Sequence, residues 1–280
     1  MRQIKLSAFS DEYAEDFSTQ LDAMNRLGIR FVELRHVNGK NVSLLTDDEV
    51  RAAKRLLDEH GIGVSAIGSP LGKIPLDGDL EAHFETAKRV FETASVMGTP
   101  FVRVFSFYPT KGKRITDLRE EVLSALGRML CIAREAGIVL CHENEARIYG
   151  DTPERCRDLL DTFRGELKCV FDMGNFVLEG VTPYPEAYKL LQPYIAYFHI
   201  KDAMKAGAIV PPGCGEAQIK EILTEHAAYA KEDFFVSLEP HLQLSSGRNA
   251  LVGRAFENPY RYESAEIAFA DAVTKFTELL

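Results

Sequence analysis

The feature that most constrains the fold of this chain is a regular alternation of short apolar segments with longer amphipathic ones. Eight segments rich in Val, Ile and Phe, each bounded by Gly, Pro or charge, have the length and composition of β-strands. Between them, apolar residues recur at helical spacing. The predicted strands are 3–9, 30–35, 63–68, 100–107, 137–143, 167–172, 194–200 and 234–239, and the predicted helices are 14–28, 46–61, 79–98, 116–137, 151–163, 183–192, 215–228 and 262–280.

This alternation predicts an α/β fold with a parallel sheet, because each helix carries the chain back to begin the next strand in the same direction. Eight units of about 35 residues in a chain of 280 indicate one domain, residues 1–280, folded as a single (β/α)8 TIM barrel. An open doubly wound sheet is the alternative. It would favour a Gly-rich turn such as GxGxxG after the first strand, and none follows there.

Composition narrows the range of partners and compartments. The formal net charge of −9 disfavours binding to a nucleic-acid backbone. The five cysteines are odd in number and form no CxxC, which fits free thiols in a reducing cytoplasm. No apolar run reaches the length of about 18 residues that a membrane span needs, so we expect no membrane association. Homo-oligomer formation stays open.

Four consecutive strands end in potential metal ligands. Glu143 ends strand five, Asp172 ends strand six, His199 lies near the end of strand seven and Glu239 ends strand eight. The carboxyl ends of barrel strands meet at one mouth, where three carboxylates would repel each other unless a cation lay between them. Three oxygens and one imidazole suit a single divalent ion, Mn²⁺ or Mg²⁺ before Co²⁺ or Zn²⁺.

The motifs VLCHEN, VFDMGNF, YFHIKD and SLEPH resemble the xylose isomerase-like barrel superfamily, within it the sugar-phosphate isomerase/epimerase group related to ketose 3-epimerases. The resemblance covers nearly the whole chain. It implies that Glu143, Asp172, His199 and Glu239 bind one divalent metal, with Mn²⁺ as our first choice. It also implies that Glu143 and Glu239 are the catalytic acid/base pair, and it favours Glu143 over the rival Glu145 as a ligand.

The chain departs from that group at two positions. Asn175 stands where members usually carry histidine, and it can hydrogen-bond a sugar hydroxyl but cannot shuttle a proton. Lys205 stands where they often carry arginine, and it lacks the bidentate guanidinium fork. We still expect both to contact substrate.

Five further residues are candidate substrate contacts, each with a structural alternative. Glu33 and Arg35 share strand parity and either bind sugar hydroxyls or pair with each other. Lys73 either binds a phosphate or carboxylate or is solvated. Lys201, inward if His199 is inward, either contacts substrate or neutralises Asp172 or Glu239. His241 shares the parity of Glu239 and could reach substrate.

The function that follows is a metal-dependent isomerase or epimerase of a small sugar, sugar phosphate or polyol derivative, acting by proton transfer through an enediolate. A lyase or dehydratase acting on a keto-sugar or inositol derivative would use the same site. An endonuclease of abasic DNA is a remote alternative, since such enzymes use a histidine-rich cluster of three metals. A binding protein that kept the metal without catalysis is the fourth possibility.

The longest irregular segments, residues 203–216 and 240–262, both follow late strands. In a barrel they would lie at the C-terminal mouth, where we expect them to cover the site.

Overall fold

Eight parallel strands close into a barrel in this computed structural model, which describes residues 3–242, 244 and 258–280. Each strand pairs with its sequence neighbours, and β1 closes the barrel by pairing with β8, from Ile4 opposite Phe234 to Ala8 opposite Leu238. The predicted closed (β/α)8 barrel is therefore confirmed. The strands are β1 Ile4–Ala8, β2 Phe31–Leu34, β3 Gly63–Ile67, β4 Phe101–Val104, β5 Val139–Glu143, β6 Lys168–Asp172, β7 Ile195–Ile200 and β8 Phe234–Leu238.

Helices surround the barrel, and their ends follow local sequence signals. Thr46 and Glu49 form a capping box at the start of α2, and Gly98 ends α3 with a left-handed φ of 78°. The helices are α1 Phe17–Arg26, α2 Asp47–His60, α3 Leu80–Met97, α4 Arg119–Glu135, α5 Pro153–Thr162, α6 Met173–Leu178, α7 Tyr188–Leu191, α8 Ile219–Tyr229 and α9 Ala265–Leu279.

Two local predictions need correction, and one short helix was not predicted. The predicted strand 100–107 ends at Val104, because the N–H groups of Phe105 and Phe107 leave the sheet and bond to Leu71 and Gly72. The first half of the predicted helix 183–192 is an irregular π-helical turn, Pro183–Ala187, and only the four-residue α7 follows as α-helix, since two prolines remove N–H donors from the start. The short helix α6 was not predicted at all. It begins directly after β6, where the Asp172 side chain caps it by accepting the Asn175 N–H.

Side chains of β7 alternate between the barrel interior and the surrounding helices, as predicted. Tyr197 belongs to a small interior cluster with Ala66, Cys141 and Val170. Its neighbour Phe198 points outwards and lies 4.7 Å, between ring centroids, from His226 of α8. This alternation places His199, two residues after Tyr197, on the interior side near the C-terminal mouth.

The segment after β7 is tied together by one buried carboxylate. Asp202 begins a short antiparallel ladder, Asp202–Ala203 with Ile209–Val210, and its side chain accepts backbone N–H bonds from Ala203, Gly213, Gly215 and Ala217 at 2.8–3.0 Å. Predicted irregular segment 203–216 is thus an ordered loop at the mouth. Of the second predicted segment, residues 243 and 245–257 lie outside the described residues. No described helix combines the length and apolarity needed to cross a membrane.

Candidate metal centre

The four predicted ligands converge at the C-terminal mouth of the barrel. Glu143 and Asp172 are the last residues of β5 and β6, His199 lies in β7, and Glu239 directly follows β8. All four are buried, and each contributes a potential ligand atom within 4.8 Å of the others. Parallel strands bring these positions together although they lie up to 96 residues apart, since 239 minus 143 is 96.

His199 faces the three carboxylates through one ring nitrogen. Its Nδ1 lies 3.1 Å from Glu143 Oε1, 3.5 Å from Glu239 Oε2 and 3.9 Å from Asp172 Oδ2. Its Nε2 points the other way, into the barrel, and lies 3.0 Å from Glu33 Oε2. Nδ1 therefore contacts the carboxylate cluster, whereas Nε2 contacts Glu33.

Lys201 is the basic side chain closest to the cluster. Its Nζ lies 2.8 Å from Asp172 Oδ2 and 3.0 Å from Glu239 Oε2, and it donates to Asn175 Oδ1 at 3.1 Å. Burial alone would lower the pKa of Lys201, but Asp172 and Glu239 hold it well above its usual range. Lys201 therefore remains an ammonium and neutralises both carboxylates.

Two arginines border the cluster on its other side. Arg103 Nη1 lies 3.2 Å from Glu143 Oε2, and Arg35 Nη1 donates to Glu239 Oε1 at 2.9 Å. Arg35 also pairs with Asp11 and Glu12, which follow β1. Glu12, Glu239 and His241 form a second, neighbouring group of potential metal ligands. The guanidinium of Arg35 pairs with both glutamates of this group and so already compensates their negative charge.

These neighbouring charges and burial shift the pKa values of the three carboxyl groups in different directions. Burial raises the pKa of Glu143, but His199 and Arg103 outweigh it and lower the value to about 2. Burial raises the pKa of Asp172 to about 7, although Lys201 opposes the shift. For Glu239 the nearby cations, Lys201 first, overcome burial and hold the pKa well below its usual range. Glu143 and Glu239 are therefore carboxylates at neutral pH.

The donor set fits a divalent ion on two observations. His199 Nδ1 and Glu143 Oε2 are buried cluster atoms without an aligned hydrogen-bond partner among the described residues, although Glu143 Oε1 lies 3.1 Å from the first and Arg103 Nη1 3.2 Å from the second. Such atoms are costly to bury unless something binds them. Three carboxylates with one imidazole also match the ligand preferences of Mn²⁺, Mg²⁺, Co²⁺ and Zn²⁺. The residues present are therefore able to hold the metal.

The predicted substrate contacts divide into those at the cluster and those away from it. Asn175 donates to Glu143 Oε1 at 3.2 Å and Lys201 contacts two ligands, so both lie at the site. Arg35 and His241 border it through Glu239, from which His241 Nδ1 lies 3.8 Å.

Three other predicted contacts have different surroundings. Lys73 pairs with Glu145 at 3.0 Å, and this same pairing turns Glu145 away from the cluster. Lys205 is exposed and donates to Thr182 at 3.1 Å. Glu33 is fully buried, and its Oε2 lies 3.0 Å from His199 Nε2, so in the structure its partner is the histidine.

Sequence reasoning missed part of the surroundings of the site. Arg103 of β4 turns its side chain towards Glu143, and it also donates to the carbonyls of Gly68 and Ser69. Sequence reasoning did not single out Asp11 or Glu12. The signal available was the acidic pair in AFSDE, directly after the first predicted strand.

The profile of the xylose isomerase-like TIM barrel family matches residues 21–249, which is most of the chain. The chain belongs to this family. The resemblance noted in the sequence is thereby confirmed. Among curated protein sequences, none matches this xylose isomerase-like barrel.

Solved structures share the fold at low sequence identity. The probable 3-DHS dehydratase AsbF of Bacillus anthracis has a TM-score of 0.74 and 17% identity, over 98% of each chain. The 3-keto-D-glucoside 4-epimerase YcjR of E. coli has a TM-score of 0.71 and 15% identity, covering 99% of this chain and 100% of its own. A xylose isomerase-like protein of Mycobacterium smegmatis in complex with magnesium has a TM-score of 0.70 and 17% identity, covering 100% of this chain and 96% of its own.

Proposed function

We propose that this protein is a divalent-metal-dependent isomerase or epimerase of a small sugar, sugar phosphate or polyol derivative. The observation that carries the proposal is the buried cluster of Glu143, Asp172, His199 and Glu239 at the barrel mouth. Similarity in fold to a 3-keto-D-glucoside 4-epimerase supports the reaction class, and similarity to a protein in complex with magnesium supports the metal. We place Mn²⁺ first among the candidate ions.

The four cluster residues would hold the ion, and Lys201 and Asn175 would border the substrate. When bound, a divalent ion polarises a substrate carbonyl and acidifies the neighbouring C–H bond. Asn175 keeps one amide hydrogen bond to Glu143 and another to the Asn144 carbonyl, so it positions the Glu143 carboxylate. The ammonium group of Lys201 would donate hydrogen bonds to oxygen atoms of the substrate.

Glu143 and Glu239 are the proposed acid/base pair. Both are ionised at neutral pH, Glu143 through His199 and Arg103 and Glu239 through Lys201 and neighbouring cations. A base must begin as a carboxylate within reach of the proton that it removes. One glutamate would take the proton from the carbon next to the carbonyl, and the other would return a proton to the opposite face. Return to the adjacent carbon instead would give aldose–ketose isomerisation.

A lyase or dehydratase is the second candidate, and the position of Lys201 favours it. The Lys201 ammonium lies within 3.0 Å of Glu239 Oε2 and 2.8 Å of Asp172 Oδ2. After a glutamate removes the α-proton, this ammonium could protonate a β-hydroxyl, so that the C–O bond breaks, water leaves and a C=C bond forms. The fold similarity to a probable 3-DHS dehydratase points the same way.

Proton NMR in D2O separates these reactions. The Mn²⁺-loaded protein is incubated with keto sugars, polyols and phosphorylated sugars, then the ion is removed by chelation before spectra are recorded. Deuterium at a carbon next to a carbonyl supports the isomerase or epimerase, and a new vinylic signal supports the lyase.

The control variants are Glu239→Gln and Glu145→Gln. Glu239→Gln should lower exchange by about 10²–10⁴-fold because it removes one of the two proton carriers. Glu145→Gln removes a carboxylate outside the cluster and should leave exchange unchanged. Exchange that survives Glu239→Gln would exclude Glu239 from the acid/base pair, and the lack of any reaction across the panel would contradict the proposed substrate classes.

A further inference from the structure

Glu33 occupies an unusual position for a charged side chain. It lies in β2 with 0% of its surface exposed, deep inside the barrel. Its Oε2 lies 3.0 Å from His199 Nε2, and its Oε1 accepts a hydrogen bond from the Tyr197 hydroxyl at 3.0 Å. Within the described part of the chain, no lysine or arginine forms an ion pair with Glu33. A buried carboxylate needs such partners, and here the histidine and the tyrosine supply them.

The contact with Glu33 determines what the other nitrogen of His199 can do. A neutral imidazole carries one N–H, and the partner of one nitrogen decides which nitrogen keeps the proton. The carboxyl group of Glu33 already accepts a hydrogen bond from the Tyr197 hydroxyl, and we assign it the same accepting role towards His199, which places the hydrogen on Nε2. Nδ1, 3.1 Å from Glu143 and 3.5 Å from Glu239, is then the nitrogen whose electron pair a bound cation would take in place of a proton.

The histidine ring is also held from the side. The ring of Phe9 meets it edge-on, with centroids 5.1 Å apart and planes at 78°. The ring of Tyr197, whose hydroxyl binds Glu33, lies 5.6 Å away. Rotation of the imidazole would break the Glu33 bond and disturb both aromatic contacts, so packing and hydrogen bonding favour the same orientation.

We propose that Glu33 is a positioning residue that holds His199 as the Nε2-protonated tautomer and directs Nδ1 at the divalent ion. The inference rests on the proposed metal-dependent function. Glu33 does not touch the ion or the substrate, and it acts through His199 alone. Residues that orient a metal ligand in this way typically contribute 10–100-fold to metal affinity. The competing explanation is that Glu33 only balances the charge of the cluster.

Metal affinity tests this inference directly. Co²⁺ binding to the wild type, Glu33→Gln and Glu145→Gln is measured by competition with a chromophoric chelator, and the visible spectrum of bound Co²⁺ is recorded. Glu33→Gln should bind Co²⁺ about 10–100-fold more weakly and with an altered spectrum. Glu145→Gln also removes one negative charge near the mouth, and it should bind as the wild type does.

The outcomes separate the inference from the function on which it rests. Equal affinity and an equal spectrum for wild type and Glu33→Gln would overturn the inference and leave the metal site standing. Equal weakening by Glu145→Gln would also overturn it, because the effect would then be one of net charge. A wild type that binds no Co²⁺ would overturn the proposed function as well.

A measurement on the wild type keeps the inference testable even where Glu33→Gln fails to fold. In ¹¹³Cd²⁺-loaded protein with ¹⁵N-labelled histidine, a metal-bound ring nitrogen shows scalar coupling to cadmium. We expect this coupling at Nδ1 of one histidine whose Nε2 carries a hydrogen, and the signal should disappear in His199→Gln. Coupling at Nε2 would overturn the inference.

Discussion

Lys201 Nζ lies 2.8 Å from Asp172 Oδ2, and both side chains are buried at the mouth of the barrel. A buried ion pair seldom stabilises a fold more than apolar residues would, but removal of one partner leaves the other charge uncompensated. Here the ammonium also contacts Glu239, another proposed ligand. Lys201 therefore compensates the charge of both carboxylates.

Lys201→Met should destabilise the metal-free protein strongly. Removal of the ammonium leaves Asp172 without its ion-pair partner and Glu239 with Arg35 as its remaining close cation, and the loss of a partner from a buried pair costs about 3–5 kcal/mol in the free energy of unfolding. Urea denaturation in the presence of a chelator measures it. The double variant Lys201→Met/Asp172→Asn should lose less than Lys201→Met alone, because one of the stranded charges is gone. A loss under about 1 kcal/mol for Lys201→Met would contradict this account.

Glu143→Gln and Glu145→Gln should differ sharply although the residues are two positions apart. Glu143 lies in the cluster, whereas Glu145 pairs with Lys73 outside it. Replacement of a ligand should weaken Mn²⁺ binding by at least the roughly 100-fold that a residue supporting a ligand can contribute. Isothermal titration with Mn²⁺ measures both variants. Weaker binding in Glu145→Gln than in Glu143→Gln would reverse the assignment of the ligand.

A divalent ion should stabilise the fold. A ligand that binds only the native state adds about 2.7 kcal/mol at a concentration 100 times its dissociation constant. The Tm of chelator-treated protein should therefore rise when Mn²⁺ is added, and calorimetry follows the rise. His199→Gln, which replaces the nitrogen ligand, serves as the control and should show little increase. An equal increase in wild type and variant would place the ion elsewhere.

We expect the buried His226 to make the free energy of unfolding depend on pH. Burial between Phe198 and Phe234 lowers the pKa of His226 from 6.5 to about 4. The imidazole of His226 binds a proton more readily in the unfolded chain than in the folded protein. The contribution of the buried, neutral His226 to stability is therefore fully present above about pH 6.5 and is lost as the pH falls towards 4. The shift corresponds to about 3 kcal/mol at most.

The variant His226→Phe isolates this contribution, because phenylalanine fits the aromatic surroundings and does not titrate. Urea denaturation of wild type and variant at pH 8 and pH 4.5 gives the difference between the two proteins at each pH. The wild type should lose more stability than the variant between the two conditions. Equal losses would show that His226 does not carry the acid sensitivity.

The barrel and its four proposed ligands were accessible from the sequence because both depend on local patterns. Strand and helix periodicities mark the eight units, and the carboxyl ends of parallel strands must share one mouth. Glu143, Asp172, His199 and Glu239 each stand at such an end, so their order along the chain was enough to predict their proximity. The capping box of Thr46 and Glu49 was readable for the same reason, since its partners are three residues apart.

The partners of the charged side chains were not readable in this way. Parity could place Lys201 inside the barrel but could not choose between substrate and the carboxylates of Asp172 and Glu239. The partners of Arg103 likewise lie far along the chain, since its side chain donates to the carbonyls of Gly68 and Ser69 after β3.

By itself, the sequence determined the (β/α)8 architecture, the mouth at which the chemistry would lie and the residues that meet there. Only the tertiary structure decided the partner of Glu33, which the sequence suggested as a contact for substrate and which the closed barrel places against His199, 166 residues away. The physical reason is that strand periodicity reports which side of the sheet a residue faces, whereas its depth and its partner across the interior follow from the register and closure of the whole barrel.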